Sequence, residues 1–255
     1  MYESIFAREG DLLSPFPPAT SPYSPKHQSG IVVAGLLTHL VDEAASAEPM
    51  EIARITIDLL GSVPFAPVSA AARVIRDGRR TQHLEAVITA DGTVVARAFA
   101  VRVRVGENPP IPMAGAFAPP EDAPAVSFAR QDGIPSCLET RLIYGGYPVG
   151  PGRVWARPAI DLFPGVRPSF AAGAAMTADL GSGTSGMLDR AYWSFPNIDL
   201  SINFARAPTS EWILVDGRSV TFGNGRGLAE AVLADRDGPF ARSQQTQFIN
   251  RLPSA

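Results

Sequence analysis

The chain carries the segment Arg54-Ile55-Thr56-Ile57-Asp58-Leu59, and its pattern returns in Asp199-Leu200-Ser201-Ile202-Asn203-Phe204. In both segments polar and apolar residues alternate, which is typical of a β-strand with one buried and one exposed face. The polarity is the same at every corresponding position. This recurrence indicates that one structural unit occurs twice in the chain.

Other short segments recur in the same order and at nearly constant spacing. The pairs are Ala34-Gly35 with Ala172-Gly173, Asp77-Gly78-Arg79 with Asn224-Gly225-Arg226, and Asp91-Gly92 with Asp237-Gly238. Asp-Gly is one of the strongest hairpin signals, so the paired turns separate antiparallel strands. A tandem duplication explains the shared order better than chance similarity of each pair.

Each copy is predicted to contain an apolar helix and several strands. Residues 30–47 and 169–180 are apolar on nearly every side, as expected of helices buried over most of their circumference. Strands are predicted at residues 54–59, 68–76, 81–89, 93–105, 138–144, 153–157, 197–204, 212–220, 227–234 and 240–250. The pattern predicts a two-layer α+β fold with an internal repeat.

Proline content sets the predicted domain boundaries. Residues 1–29 are proline-rich and are expected to form an irregular lead-in to the first repeat, which we place at residues 1–107. A second proline-rich stretch predicts a linker at residues 108–130. The second repeat is then expected at residues 131–255.

The bulk composition excludes several classes of protein. Hydrophobic residues make up 45% and charged residues 18% of the chain, and the net charge is −3. These values give no reason to expect disorder or nucleic-acid binding. No apolar run is long enough to predict membrane insertion, and the amino terminus does not resemble a signal peptide. With a single cysteine, Cys137, a soluble cytoplasmic protein is the simplest expectation.

The chain resembles the TesB-type acyl-CoA thioesterases over roughly residues 20–250. The segments that carry the resemblance are His27-Gln28-Ser29-Gly30, Val63-Pro64, Ala178-Asp179-Leu180, Asn197-Ile198-Asp199-Leu200-Ser201, Arg206-Ala207-Pro208, Glu211-Trp212, Gly225-Arg226-Gly227 and Ala241-Arg242-Ser243-Gln244-Gln245. The resemblance implies a double hotdog fold, in which two hotdog repeats form one long curved antiparallel sheet around two central helices. It also implies an acyl-CoA substrate, no cofactor, and further pairing into a homodimer or higher homo-oligomer.

Asp179 is the first candidate catalytic residue. It is the only ionisable residue in the apolar stretch 169–180, where a buried carboxylate is costly unless it has a partner or a function. Desolvation raises a carboxyl pKa towards neutrality, which suits a general base. From the residues alone, a helix-end aspartate facing solvent is an equal alternative because Gly181 follows closely. The resemblance favours the base, since the family uses an aspartate here to activate water.

Gln245 and Asn197 are the other candidates, and both are expected to orient the attacking water. Gln245 aligns with the glutamine of the family, although a polar residue on a solvated strand face is the alternative. The family has threonine where this chain has Asn197. Asparagine can hold a water but has no hydroxyl, and we expect Ser201, on the same strand face, to supply one.

Substrate-binding residues are predicted less directly. Backbone amides around Ser29 and Gly30 are expected to face the thioester oxygen. Arg79, Arg226 and Arg206 are candidates for the phosphates of CoA, although each is equally consistent with an ordinary surface charge.

Other chemistries are less consistent with the sequence. Cys137 has no neighbouring histidine, the three histidines lack the spacing of metal ligands, and residues 181–186 are predicted to form a flexible loop rather than a nucleophile elbow. A non-catalytic hotdog protein that binds acyl groups is the main alternative to a thioesterase. A hydratase-like lyase is a weaker one, because the chain lacks the Asp/His pair that hydratases of this fold use.

Overall fold

The structure, a computed structural model, describes residues 2–111, 113, 115, 117–125, 137–145 and 150–252. The first repeat contains helix α1 (Gly30–Asp42) and strands β1 (Phe6–Glu9), β2 (Leu12–Pro15), β3 (Thr20–Ser21), β4 (Ser24–Gln28), β5 (Met50–Leu59), β6 (Val68–Asp77), β7 (Thr81–Ala90) and β8 (Thr93–Arg104). The second contains helices α2 (Phe170–Ala178) and α3 (Gly181–Thr184) and strands β9 (Leu138–Tyr144), β10 (Gly152–Pro158), β11 (Trp193–Ser194), β12 (Asp199–Phe204), β13 (Ile213–Thr221), β14 (Arg226–Asp235), β15 (Gly238–Phe248) and β16 (Asn250–Arg251).

Within the described ranges, twelve strands form one sheet in the order β1-β2-β6-β7-β8-β5-β12-β15-β14-β13-β10-β9. The two repeats meet where β5 pairs with β12 in antiparallel register, with Thr56 opposite Ser201. These two residues are also equivalent in the sequence repeat, so a pseudo-two-fold axis passes between them. The predicted double hotdog architecture is confirmed.

One face of the sheet packs against the helices and is called the inner face; the opposite face is the outer face. Helix α1 lies on the strands of the first repeat and α2 on those of the second. Residues of both repeats share one hydrophobic core, which includes Ile55, Ile57 and Ile202. Burying this apolar surface is the main force that holds the two repeats together.

Helices α1 and α2 are in close contact and antiparallel, because Gly35 of α1 lies against Met176 of α2 and the earlier Gly30 lies against the later Asp179. A Cβ atom at Gly35 would lie 2.5 Å from Met176 Cγ, so only glycine permits the approach. The crossing brings the beginning of α1 next to the end of α2. None of the helices in the described ranges is long and apolar enough to cross a membrane.

Two predictions of irregular structure were wrong. The lead-in contains strands β1 and β2, which form one edge of the sheet, and the two-stranded β3–β4 ribbon. Its prolines lie at strand ends, in turns or on this ribbon. Proline is tolerated there because none of these positions has to donate a backbone hydrogen bond to a central strand of the sheet. The predicted flexible loop at residues 181–186 begins with the helical turn α3, where the Ser185 hydroxyl lies 2.7 Å from both the Gly181 carbonyl and Ser219 Oγ. Helix α1 also ends at Asp42, earlier than predicted.

The domain boundaries stay a prediction. The last strand of the first repeat ends at Arg104, before the proposed linker at residues 108–130. Residues 112, 114, 116 and 126–136 lie outside the described part of the chain, and so does the predicted start of the second repeat at residue 131.

Candidate active site

Asp179 lies where the two helices meet. It follows the last residue of α2 as its C-cap, and its backbone N–H donates to the carbonyl of Ala175 at 3.3 Å. Its side chain reaches the wall of a cavity and is surrounded by protein on its other sides. Burial raises the pKa of Asp179 to about 6, although hydrogen bonds from Asn197 and Gln245 act in the opposite direction. A carboxyl with this pKa can accept and release a proton near neutral pH.

Two amide side chains hold one oxygen of this carboxylate. Asn197 Nδ2 donates to Asp179 Oδ1 at 2.9 Å, and Gln245 Nε2 donates to the same atom at 3.2 Å. Gln245 Nε2 also lies 3.2 Å from the Asp179 carbonyl. The structure therefore brings together the three residues that the sequence singled out.

Gln245 is itself fixed from the other side. It is buried on the inner face of β15, and its Oε1 accepts a hydrogen bond from the Ser182 N–H at 3.0 Å. A Cβ atom at residue 181 would lie 3.0 Å from the same Oε1, so Gly181 permits this close approach. The two ends of the Gln245 amide are thus both used within the protein. The side chain holds the carboxylate in place, whereas we had expected it to orient water.

Asn197 reaches the site because of an irregularity in the sheet. Ser201 pairs with Gln244, but Asn197 pairs with Gln247, one residue away from the register that a regular ladder would give. Such a shift re-aims side chains, and here it turns Asn197 towards the inner face. The Asp199 carboxylate supports the shift by accepting hydrogen bonds from Thr246 N at 2.6 Å and Thr246 Oγ1 at 2.9 Å.

The expectation that Ser201 supplies a hydroxyl to the site was wrong. Its Oγ donates to Thr56 Oγ1 at 3.4 Å on the outer face, at the junction of the two repeats. The register shift separates its side from that of Asn197. The period-two rule that placed the two residues on one face holds only within a regular strand.

The beginning of α1 faces the second oxygen of the carboxylate. A Cβ atom on Gly30 would lie 2.9 Å from Asp179 Oδ2, so a side chain at this position would collide with the carboxylate. Ser29 is the N-cap, and its Oγ accepts from Ile31 N at 3.3 Å. The N–H groups of a first helical turn have no acceptor within the helix, and the helix dipole makes this end favourable for negative charge.

A cavity of about 410 Å³ adjoins these residues. Its wall includes Ser29, Gly30, Asp179 and Asn197, together with apolar side chains of both repeats. Sequence reasoning did not assign a role to several polar residues of the wall, among them Tyr23, His27, Ser182 and Arg190. They lie in the lead-in and in the segment after α2. Neither segment has a periodic apolar pattern from which one could predict which side chains face the core.

The arginines predicted to bind CoA phosphates do not line this cavity. Arg79 is exposed in the β6–β7 turn, at the end of the sheet opposite to the cavity, and Arg226 is exposed at the start of β14. The two turns are equivalent in sequence, but the pseudo-two-fold axis sends them to opposite ends. Arg206 instead forms two hydrogen bonds with Asp235, at 2.6 and 2.7 Å, and these fix the chain segment after β12.

Cys137 lies outside the cavity and is fully buried. Burial raises the pKa of its thiol to about 12, so the reactive thiolate is not present at neutral pH.

Comparison with protein families gives two matches that together extend over most of the chain. A model described as the acyl-CoA thioesterase N-terminal domain matches residues 19–103. A model described as the acyl-CoA thioesterase C-terminal domain matches residues 116–249. A comparison with curated proteins gives no match.

Solved structures with the same fold extend over nearly the whole chain. A conserved hot dog fold protein from Alicyclobacillus acidocaldarius has a TM-score of 0.72 at 17% identity, covering 98% of this chain and 96% of its own. The tesB protein of Mycobacterium avium subspecies paratuberculosis has a TM-score of 0.69 at 17% identity, covering 97% and 96%. The acyl-CoA thioesterase II TesB2 from Mycobacterium marinum has a TM-score of 0.65 at 19% identity, covering 88% and 91%.

Proposed function

The chain belongs to the acyl-CoA thioesterase family, and from this membership we propose that it hydrolyses acyl-CoA thioesters with Asp179 as general base. The observation that carries the proposal is a carboxylate of raised pKa, held by two amide side chains at the wall of a cavity that fits a small ligand.

In the proposed reaction, Asp179 Oδ2 accepts a proton from a water molecule while the water oxygen bonds to the thioester carbonyl carbon. Oδ1 is occupied by Asn197 and Gln245, which leaves Oδ2, on the side of Gly30, as the proton acceptor. The C–S bond then breaks, and the CoA thiolate takes up the proton from Asp179. The products are a carboxylic acid and the free thiol.

The beginning of α1 is assigned to the negative charge that develops on the thioester oxygen. The Ser29 N–H donates to the Ala19 carbonyl at 2.8 Å and the Ile31 N–H donates to Ser29 Oγ at 3.3 Å. The donor assigned to the oxyanion is therefore the N–H of Gly30, which adjoins both the cavity and Asp179. Donors fixed in advance at such a position stabilise an oxyanion without reorganising during the reaction. Gln245 acts through Asp179 and is a positioning residue. Asn197 has a second amide N–H, which is assigned to the water.

Free-thiol release from short, medium, long and aromatic acyl-CoA thioesters tests the proposal. Asp179→Asn keeps an acceptor oxygen for Asn197 and Gln245 but removes the base, so the rate is expected to fall by about 10² to 10⁴ with the fold retained. The matched control is Asp11→Asn, an exposed carboxylate in the β1–β2 turn, which is expected to keep full activity. A fully active Asp179→Asn variant would contradict the assignment.

The alternative, an acyl-binding protein without turnover, rests on Asn197 in place of the family threonine. The same experiment separates the two functions when binding is measured alongside hydrolysis. Tight binding of acyl-CoA by the folded wild-type protein, with no thiol released from any substrate, would favour the alternative.

A further inference from the structure

The cavity contains a positive group that the proposed reaction does not use. Among the described residues of its wall, Arg190 is the only arginine or lysine. The proposed chemistry involves Asp179, the amides of α1 and two carboxamides, none of which needs a guanidinium beside the substrate. Arg190 is half-buried, and it lines the same cavity as Asp179.

The position of Arg190 is fixed by the residues around it. Its guanidinium carbon lies 5.2 Å from the centre of the Phe195 ring, which is buried beside Met187 and Ile249. Its Nη2 lies 3.6 Å from where a Cβ atom of Gly183 would be. A guanidinium stacked on a buried ring is pre-organised, so little side-chain entropy remains to be lost when it binds a partner.

Arg190 lines the same cavity as Asp179 and Asn197. Gly183, which it approaches, follows Ser182, whose N–H donates to Gln245, and Gln245 donates to Asp179. Tyr23, whose side chain is half exposed, lines the same cavity as Arg190 and Asp179. The phenol, the guanidinium and the carboxylate therefore border one cavity.

We propose that Arg190 is a specificity residue that binds an anionic group of the thioester substrate, either a carboxylate of the acyl group or a phosphate of the carrier. The guanidinium matches both groups with two parallel hydrogen bonds. This inference rests on the proposed thioesterase function and adds the class of substrate to it.

Four substrates separate the two sources of charge. They are butyryl-CoA, glutaryl-CoA and the butyryl and glutaryl thioesters of N-acetylcysteamine, a carrier without phosphate. Free-thiol release is measured for the wild type, Arg190→Gln and Arg190→Lys. The control is Arg104→Gln, an exposed arginine at the opposite end of the sheet, which is expected to leave all four rates unchanged.

If Arg190 binds an acyl carboxylate, Arg190→Gln lowers kcat/KM for both glutaryl thioesters at least tenfold relative to their butyryl counterparts. If it binds a carrier phosphate, both CoA thioesters lose at least tenfold and the N-acetylcysteamine thioesters do not change. Arg190→Lys keeps the positive charge, so its loss of kcat/KM is expected to be smaller than that of Arg190→Gln in either case. An equal loss with all four substrates, or no loss, would overturn the proposal.

The outcome for Arg190 stays separate from that of the thioesterase function. If the wild type releases no thiol from any substrate, the proposed function fails, and the dissociation constants of the four intact thioesters are measured by calorimetry instead. A tenfold weaker binding of the anionic thioesters by Arg190→Gln would then still support the Arg190 site. Identical dissociation constants in the two proteins would reject it.

Discussion

At the scale of single residues, the environment of Asp179 sets the pH range in which the proposed base works. Burial favours the neutral acid, whereas the two amide donors favour the carboxylate, and the balance puts its pKa at about 6. The base is active only when it is deprotonated. We therefore expect kcat/KM to rise about tenfold per pH unit below pH 6 and to level off above about pH 7.

A profile of kcat/KM against pH between 4 and 9 checks this expectation, since that ratio reports the pKa of groups in the free enzyme. The circular dichroism spectrum at each pH controls for acid unfolding. A midpoint near pH 4, the ordinary value of an aspartate, would show that burial does not raise the pKa of the catalytic group.

Gly30 provides a second test at this scale. In Gly30→Ala the new methyl carbon would lie 2.9 Å from Asp179 Oδ2, so the carboxylate has to move. Alanine suits a helix better than glycine, and the helix itself should tolerate the change. We expect kcat/KM to fall by about tenfold to a hundredfold, because small misplacements of reacting groups are costly.

The matched control for Gly30→Ala is Gly106→Ala, where a Cβ atom would have no neighbour within 4 Å. That variant is expected to keep full activity. Thiol release by both purified proteins is measured with the same substrate. Unchanged activity of Gly30→Ala would mean that Oδ2 does not need its present position.

At the scale of secondary structure elements, the site depends on the irregular start of β12. The Asp199 carboxylate takes two hydrogen bonds from Thr246 where the ladder shifts by one residue. Asp199→Ala leaves the Thr246 N–H without this acceptor, and we expect the free energy of unfolding to fall by about 1–3 kcal/mol. The Asn197 side chain is then no longer held in its present direction, so we expect a larger fold-change in kcat than in KM.

Urea denaturation and steady-state kinetics of Asp199→Ala measure both effects. Asp58→Ala is the control, because Asp58 lies directly opposite on β5 and its removal relieves a repulsion between like charges. It is expected to be neutral or slightly stabilising and to leave kcat unchanged. Equal behaviour of the two variants would show that Asp199 has no special part in aiming Asn197.

At the scale of the whole molecule, the repeat gives two equivalent places for a site, but they differ in chemistry. The correspondence of Ala34-Gly35 with Ala172-Gly173 puts Val41 at the position of Asp179. The strand pairings put Ala100 at the position of Gln245. Arg102 of the first repeat instead caps the end of α1, donating to the carbonyls of Val41 and Ala44 at 3.3 and 2.6 Å.

We therefore expect one active site per chain. Titration of an Asp179→Asn protein with a non-hydrolysed acyl-CoA should give a stoichiometry of one ligand per chain by calorimetry. Val41→Ala, which alters the apolar counterpart, should leave that stoichiometry unchanged. A value of two ligands per chain would mean that the first repeat keeps a binding site without the carboxylate.

The sequence by itself determined the repeat, the type and order of most elements, and Asp179 as a carboxylate to consider. Alternation reports which side of a strand is buried, and a lone carboxylate in an apolar helix is visible in one dimension. Asn197 and Gln245 were singled out by the resemblance to the thioesterase family, not by a local pattern. Proline and glycine content misled in the lead-in and at residues 181–186. Edge positions and side-chain hydrogen bonds, which no local pattern reveals, allow regular structure there.

Only the tertiary structure decided which polar groups meet. Asn197 faces the cavity and Ser201 does not, because a register shift lies between them. Arg79 and Arg226 lie at opposite ends of the strands because a pseudo-two-fold axis relates the repeats. Arg190 lines the cavity although nothing around it in the sequence marks it. The reason is physical: a strand pattern specifies which face is buried, whereas register and symmetry, which come from packing two repeats together, determine which side chains share that space.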